Sequence, residues 1–249
     1  MKQYEFLEGT LYSAEDLMEY YDSEERMRKD LDRLIAGGRV TVVADGLYAT
    51  VNPVTGDIYS SRYEIAQALF PGSYCAYHTA LEYYGLTTQI FKDVQIACRE
   101  PVKPVSVRGL DYAGVVVDYE DGVDSIVNCS PLRITDKERT LVDCMDRMDL
   151  CGGLNELKLA VYLYTGSDEE KLLKHLRHYN DGLLYKKAGY LFSRYKVDRI
   201  NCGFRISSLS SGFFDVCRQN MSKTDDILAD SWKGPCVYNE EWKLYVPAE

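Results

Sequence analysis

The chain has 249 residues, of which 46 % are hydrophobic and 27 % are charged, and its formal net charge is −10. These values are ordinary for a globular protein, and the length suffices for one large domain or two smaller ones. The acidic balance argues against indiscriminate binding to nucleic acids or membranes, but it leaves room for a local basic site. No apolar run approaches the roughly 18 residues of a membrane span, and residues 1–6 lack the apolar core of a signal peptide. We therefore expect a cytoplasmic protein with no membrane partner.

Eight cysteines are scattered along the chain without the spacing of a metal site. They stand at positions 75, 98, 129, 144, 151, 202, 217 and 236. None forms a Cys-x-x-Cys pair, and the three histidines lack the spacing of zinc ligands. In a reducing compartment such cysteines are mostly small buried apolar residues. We expect no structural metal and no cofactor.

Near the N-terminus the sequence predicts two consecutive helices. Ser13, with Asp16 three residues later, has the spacing of a capping box, which satisfies amide donors at a helix start. Ser23 opens the second helix, whose apolar residues recur at i, i+4, i+7 and i+8. These residues are Met27, Leu31, Leu34 and Ile35. Gly37 and Gly38 end this helix.

A strand, a turn and a second strand follow the two helices. The strands are predicted over residues 39–43 and 47–49, with the turn at 44–46. Two helices followed by such a hairpin are typical of a winged helix-turn-helix, in which the second helix lies in a DNA groove. The sequence therefore predicts a DNA-binding head over residues 1–52.

The outward face of the second helix carries the candidate DNA contacts. At about 100° per residue, Arg26, Lys29 and Arg33 fall within an arc of roughly 60° opposite the apolar stripe. Cations there suit phosphates and guanine edges. The predicted DNA-binding residues of the head are Arg26, Arg28, Lys29, Arg33 and, in the wing, Arg39.

A purely structural interpretation of these cations also stands. Asp30 lies four residues after Arg26 and three before Arg33, and Asp32 lies four after Arg28, so ion pairs within the helix would absorb the charges. Residues 1–52 hold 6 Lys/Arg against 11 Asp/Glu, a net charge of −5. DNA-binding domains are usually basic, so a head that docks another protein remains open.

The sequence after the head predicts a larger domain over residues 53–249. The breaker-rich stretch at 52–56 marks the boundary. Helices are predicted over 61–69, over 74–84 after Ser73, after a capping box at Thr135, and over 154–164, 169–178 and 182–192. Strands are predicted over 94–98, 105–107, 115–119 and 126–128. The tail from residue 201 is expected to return to the body through Trp232, Trp242 and Leu244. The overall class is α+β, an N-terminal winged helix-turn-helix followed by a larger mixed α/β domain.

A basic segment interrupts this acidic chain. Residues 171–223 hold 11 Lys/Arg and 3 Asp/Glu, a net charge of +8. Its predicted nucleic-acid-binding residues are Lys186, Lys187, Arg194 and Lys196. Because acidic surroundings repel polyanions elsewhere, a local basic face predicts a second surface for nucleic acid or a dock for an acidic partner. The alternative is a solvated helix face that the acidic head balances.

Five short motifs, in order along the chain, give it a family resemblance. They are Gly46-Leu-Tyr48, the helix motif from His78 to Leu86, Glu138-Arg-Thr-Leu-Val-Asp143, Gly189-Tyr-Leu191, and the closing segment from Tyr238 to Leu244. Together they resemble the AbiEi-type antitoxins of type IV toxin–antitoxin, or abortive infection, systems. Within these motifs Gly85 and Gly189 are expected at helix ends, and Arg139 and Asp143 are expected either to pair on one helix face or to anchor a loop.

The resemblance implies a transcriptional repressor of its own toxin–antitoxin operon. Such a protein binds inverted repeats in double-stranded operator DNA through its winged head, helped by the C-terminal domain. The functional partner that the resemblance implies is a nucleotidyltransferase toxin encoded alongside.

Two other function classes stay open. A protein-interaction module would neutralise or dock a partner by direct contact. An enzyme would need a metal site such as Asp118, Glu120, Asp121 and Asp124, but their placement around Gly122 favours an exposed turn. The chain has no P-loop, no Gly-x-Ser-x-Gly and no zinc-protease helix, so we expect no enzymatic activity.

Overall fold

The computed structural model of the chain is a mixed α+β protein. It describes residues 11–127, 131–165, 168–198 and 209–248, with the backbone alone at 127, 131 and 195–198. Two compact units divide the chain. The first combines Met1–Cys75 with Lys92–Ile134, and the second combines Ala76–Phe91 with Thr135–Glu249.

The N-terminal segment of the first unit holds two helices and a three-stranded sheet. Its elements are β1 (Leu11–Ser13), α1 (Ala14–Met18), α2 (Glu24–Ala36), β2 (Val40–Ala44) and β3 (Leu47–Thr50). The strands are antiparallel in the order β1-β3-β2. Both predicted helices and the predicted hairpin are present.

Local sequence signals explain the ends of these helices. The hydroxyl of Ser13 accepts from the backbone N–H of Asp16 at 3.0 Å, and the carboxylate of Asp16 accepts from the backbone N–H of Ser13 at 2.8 Å. This confirms the predicted capping box. The hydroxyl of Ser23 likewise accepts from the N–H of Arg26 at 3.4 Å and caps α2.

The apolar stripe of α2 packs against the sheet of β1, β3 and β2. Met27, Leu31 and Leu34 are buried in one cluster with Tyr12 of β1 and Val40 of β2. Ile35 is partly buried and packs against the same cluster. The predicted stripe is therefore confirmed, and it leaves the opposite side of α2 in solvent.

A six-stranded sheet and one helix make up the rest of the first unit. The helix is α3 (Arg62–Leu69). The strands are β4 (Tyr74–Cys75), β5 (Asp93–Cys98), β6 (Val105–Val107), β7 (Leu110–Val116), β8 (Val123–Val127) and β9 (Pro131–Thr135), in the order β6-β7-β5-β4-β9-β8. β5 pairs in parallel with β7, and β4 pairs in parallel with β9 and antiparallel with β5.

Several expected boundaries in this region are wrong. Tyr74 and Cys75, predicted as helix after Ser73, form β4, because both are fully enclosed between β5 and β9. β7 begins at Leu110 rather than 115, and β9 was not predicted. The hydroxyl of Thr135 does not cap the next helix. The side chain of Asp136 does, by accepting from the N–H of Arg139 at 2.7 Å.

The second unit is mainly helical. Its helices are α4 (Tyr77–Tyr83), α5 (Lys137–Asp146), a 3-10 turn (Met148–Cys151), α6 (Leu154–Leu163), α7 (Glu169–Tyr179), α8 (Gly182–Asp198) and α9 (Ser211–Asn220). A small sheet contains β10 (Asp226–Ile227), β11 (Cys236–Asn239) and β12 (Leu244–Pro247), in the order β10-β12-β11. α9 was not predicted, and α8 is longer than expected.

Helix α5 has two charged side chains that are buried in the second unit. The side chains of Arg139 and Asp143 are 1 % and 2 % exposed and form an ion pair at 3.2 Å, as their spacing predicts. The hydroxyl of Tyr179 donates to the other oxygen of Asp143 at 2.7 Å. Burial raises the pKa of Asp143 to about 6, although Arg139 and the tyrosine hydroxyl oppose that rise.

Gly189 does not end a helix as expected. It lies inside α8, where a Cβ atom would stand 2.2 Å from Cζ3 of Trp242. Only glycine lets the helix and the indole approach so closely. The tail was predicted to return to the body through Trp232, Trp242 and Leu244. Trp242 and Leu244 are fully buried, which confirms their part of the prediction, whereas Trp232 is only partly buried. Gly85, by contrast, follows α4 with φ of 65° and fits the helix end predicted for it.

The cysteines with described side chains are free thiols. Cys75, Cys98, Cys144, Cys151 and Cys217 are buried, and Cys236 is exposed. Burial raises the pKa of Cys75 and Cys217 to about 12 each, so these thiols behave as small apolar groups. Within the described ranges, no helix is both long and apolar enough to cross a membrane.

Candidate nucleic-acid interface

The exposed side of α2 is the strongest candidate for a nucleic-acid interface. Its apolar side is buried against the small sheet. Arg26, Arg28, Lys29 and Arg33, all predicted contacts, are exposed on the other side. The 13-residue helix is about 20 Å long, which is enough to follow a major groove for several base pairs.

Three of these four cations form ion pairs within the helix or its cap. Arg26 pairs with Asp22 at 2.8 Å, with side chains 72 % and 87 % exposed. Arg28 pairs with Glu24 at 2.6 Å. Exposed pairs of this kind contribute about 0–1 kcal/mol, so a phosphate can replace the carboxylate at little cost.

The ion pairs differ in part from those expected. Arg33 pairs with Asp30 at 3.3 Å, as predicted. Arg26 and Arg28, however, use acids four residues before them rather than Asp30 and Asp32 after them. An acid that precedes a cation by four residues is the better oriented pair on a helix. The expected pairs of Arg26 and Arg28 are therefore wrong.

Lys29 and Arg39 differ from the three arginines. Both are exposed, and neither makes an ion pair with the part of the chain that the structure describes. Lys29 lies in the middle of α2, and Arg39 precedes β2. Their charges are directly available to an anionic partner, whereas the arginines must first exchange a carboxylate.

The hairpin beside α2 has mixed character. Val42, in the middle of β2, is 53 % exposed, and Asp45 is exposed in the turn between β2 and β3. An acidic residue at the turn disfavours close approach of a phosphate there. Arg39, at the base of this hairpin, is the contact predicted for it, and its exposed cation suits an anion.

Tyr20 is an exposed aromatic residue near α2 that sequence reasoning missed. It lies in the turn between α1 and α2 and is 48 % exposed. A tyrosine hydroxyl is a common donor to DNA phosphates. The chain contains 21 tyrosines spread along its length, so composition alone could not single this one out.

The predicted basic surface of the second unit does not form as expected. Lys186 is fully buried, and its ammonium pairs with Asp226 at 2.6 Å while also bonding to the carbonyl oxygens of Thr224 and Lys243. Its assignment to a surface is therefore wrong. The physical reason is that Asp226, in β10 of the second unit's sheet, compensates the charge of this lysine and links α8 to that sheet.

The other predicted cations of α8 have different surroundings. Lys187 is half-buried and donates to the carbonyl of Met145 at 3.1 Å. Burial lowers its pKa, against the attraction of Asp146. Arg194 is exposed. The side chain of Lys196 lies outside the described residues. Of the four predicted cations, Arg194 is therefore the exposed one among those whose side chains the structure describes.

Comparisons with known proteins add a fold relationship. Neither the models of known protein families nor the curated proteins contain a match to this chain. Among solved structures, the chain is similar to the crystal structure of the RV2827C protein from Mycobacterium tuberculosis. The TM-score is 0.67 at 14 % sequence identity, over 96 % of this chain and 87 % of that one. At this level of identity the likeness concerns the fold alone.

Proposed function

We propose that this protein is a DNA-binding transcriptional repressor and antitoxin, with residues 11–51 acting as a winged helix-turn-helix. The observation that carries the proposal is the two-sided character of α2. One side is buried against a β1-β3-β2 sheet, and the other presents exposed cations. This element order, with the second helix followed directly by a hairpin, is the one in which DNA-binding proteins present a recognition helix.

The mechanism follows from the charges on α2. Lys29 and Arg39 neutralise phosphates directly, and Arg26, Arg28 and Arg33 exchange their intrahelical carboxylates for phosphates or guanine edges. The net charge of −5 in residues 1–52 disfavours binding away from this face. Such a head binds weakly to DNA in general and depends on groove contacts for its affinity.

The test is a titration of the purified chain with DNA from upstream of its own gene. A shuffled duplex of the same composition is the control, and both are measured at two salt concentrations. Neutralising about three or four phosphates per protomer predicts that log K falls with log salt at a slope of roughly −3. Equal affinity for both duplexes at both salt concentrations would contradict the proposal.

A protein-interaction module is the second candidate. The observation that favours it is the exposed apolar group on the small sheet of the second unit. Tyr238 of β11 and Tyr245 of β12 are 41 % and 45 % exposed, with ring centroids 5.1 Å apart, and Val237, the preceding residue of β11, is 52 % exposed. β11 is at the edge of that sheet, where a partner strand can add. Co-purification with the product of the adjacent gene, retained when DNA is digested, would support it.

A further inference from the structure

A cavity of about 220 Å³ opens in the first unit, away from α2. It lies between the start of α3, the chain segment that follows β3, and the hairpin of β6 and β7. No part of the proposed DNA contact uses it. Its lining combines two arginines, a buried tyrosine and several aliphatic side chains, a mixture typical of small-molecule sites.

The buried tyrosine is the most unusual feature of the lining. Tyr112 is fully buried, and its hydroxyl has no hydrogen-bond partner among the described residues. Burial raises the pKa of Tyr112 to about 12, so the group is a neutral donor. A buried hydroxyl without a partner is costly, so an acceptor that reached it would lower the free energy of the folded protein.

A cation lies in the wall of the same cavity. Arg62, at the first position of α3, lines the cavity together with Tyr112. The positive charge of Arg62 opposes the rise in the pKa of both Tyr112 and Cys75. A hydroxyl donor and a guanidinium in one cavity wall are a typical pair for a carboxylate.

The second arginine is held over the cavity by an uncommon backbone conformation. Arg108 has φ of 50° in the turn between β6 and β7, and its guanidinium donates to the carbonyl of Gly56 at 3.3 Å. Residues in the left-handed region are infrequent unless they are glycine, and they concentrate at functional sites. Asp57 also lines the cavity, but it is exposed at the rim, where water screens its charge.

The remaining wall determines the shape of the ligand. It is formed by the aliphatic residues Ile58, Ile65, Val107 and Leu110. The volume, below the range of roughly 300–1,000 Å³ common for larger ligands, admits a short molecule only. A negative end suits the arginines and the tyrosine, and an aliphatic body of a few carbons suits the apolar wall.

We propose that this cavity binds a small aliphatic carboxylate, whose oxygens meet Arg62 and the hydroxyl of Tyr112 and whose hydrocarbon body packs on the aliphatic wall. The ligand contacts Ile58, which is bridged to Val51 directly after β3. The site is separate from the candidate DNA interface, so the test of this proposal is independent of the test of DNA binding.

The test uses calorimetric titration of the full chain with 4-methylpentanoate, and 4-methylpentanamide serves as the uncharged probe of the same shape. We expect a Kd on the order of 0.1–1 mM for the carboxylate and about tenfold weaker binding of the amide, because the amide lacks the charge that the arginine recognises. Asp57→Asn is expected to tighten carboxylate binding about twofold, because it removes a like charge at the rim.

Two variants probe the inner contacts, and a third is the control. Tyr112→Phe keeps the ring and removes only the hydroxyl, and Arg62→Gln removes the cation. Each is expected to weaken carboxylate binding about tenfold. Arg99→Gln, an exposed arginine of the same unit that does not line the cavity, is expected to leave it unchanged.

The stability of Tyr112→Phe distinguishes a binding site from a defect in packing. Without ligand, we expect the variant to have a higher Tm than the wild type. On addition of 4-methylpentanoate, we expect its Tm to rise less than that of the wild type. No heat of binding at millimolar carboxylate, which indicates a cavity that holds water only, would overturn the proposal. So would binding that neither Tyr112→Phe nor Arg62→Gln weakens.

Discussion

An arginine and an aspartate four residues apart form an ion pair both at the start of α2 and within α5, in opposite surroundings. At α2 the pair of Arg26 with Asp22 is 72 % and 87 % exposed, whereas in α5 the pair of Arg139 with Asp143 is 1 % and 2 % exposed. The exposed pair adds little stability and leaves its cation exchangeable. The buried pair adds hydrogen bonds that the core cannot lose without leaving a charge uncompensated. An i,i+4 spacing therefore indicates a pair but not its role.

The largest expected effect tests the buried member of this comparison. Asp143→Ala removes the acceptor of Tyr179 and the carboxylate that pairs with the buried charge of Arg139, so we expect a loss of about 3–5 kcal/mol in the free energy of unfolding. Asp22→Ala, opposite Arg26, is the matched control and should cost less than about 0.5 kcal/mol. Chemical denaturation measures both losses. Similar losses in the two variants would contradict the difference in role between the buried and the exposed pair.

The next effect concerns close packing in the second unit. Gly189→Ala places a Cβ atom against the ring of Trp242 inside α8, and we expect a loss of about 3 kcal/mol. Gly212→Ala in α9 is the control, because its Cβ atom meets nothing nearer than 3.4 Å and alanine favours the helix. Thermal unfolding should show a lower Tm for the first variant and an equal or higher Tm for the second.

A pH dependence follows from the raised pKa of Asp143. Because its folded pKa of about 6 exceeds its unfolded value of about 4, the folded state binds a proton more tightly between these limits. Its contribution is therefore fully present below pH 4 and is lost as the pH rises through 6. Relative to Asp143→Asn, the wild type should lose about 2 kcal/mol across this range.

The measurement is the difference in unfolding free energy between the wild type and Asp143→Asn at several pH values from 4 to 7. The subtraction removes the titration of all other groups that the two proteins share. A difference that stays constant, or one that favours the wild type increasingly as the pH rises, would contradict a raised pKa for this carboxyl group.

The smallest expected effect on stability lies on the exposed side of α2. Arg26→Gln removes an exposed pair and should change the free energy of unfolding by less than about 0.5 kcal/mol. If the proposed function is correct, the same variant weakens operator binding by about tenfold, because it deletes one phosphate or base contact. Denaturation and a DNA titration of this variant give the two numbers.

The regions that sequence analysis predicted well are those fixed by local interactions. Ser13 and Ser23 cap their helices through residues three positions away, and the stripe from Met27 to Leu34 needs only helical periodicity. These are short-range effects, so the pattern in the chain contains them.

The predictions that failed depend on distant parts of the chain. Tyr74 and Cys75 become a strand because β5 and β9 flank them, and Lys186 is buried because Asp226, 40 residues later, compensates its charge. Gly189 is required by Trp242, 53 positions further along the sequence. No local pattern contains such information, and tertiary packing overrides propensity in each case.

The same difference between local and distant interactions applies to the candidate site. The exposure of Arg26, Lys29 and Arg33 follows from the helical period and was predicted. The surface around Lys186 was inferred from charge density alone, and charge density does not distinguish a solvated lysine from a buried one. The cavity at Tyr112 had no sequence signal, because its lining comes from two segments, 57–65 and 107–112, that are distant in the sequence.

The most direct test of the central claim compares Lys29→Glu with Lys103→Glu in binding to DNA from upstream of the gene. Both lysines are exposed in the same unit and both changes reverse one charge, but only Lys29 lies on α2. We predict that Lys29→Glu abolishes the preference over a shuffled duplex while its fold and Tm are retained, and that Lys103→Glu binds like the wild type. Equal operator affinity for Lys29→Glu and the wild type would contradict the assignment of α2 as the DNA-binding helix.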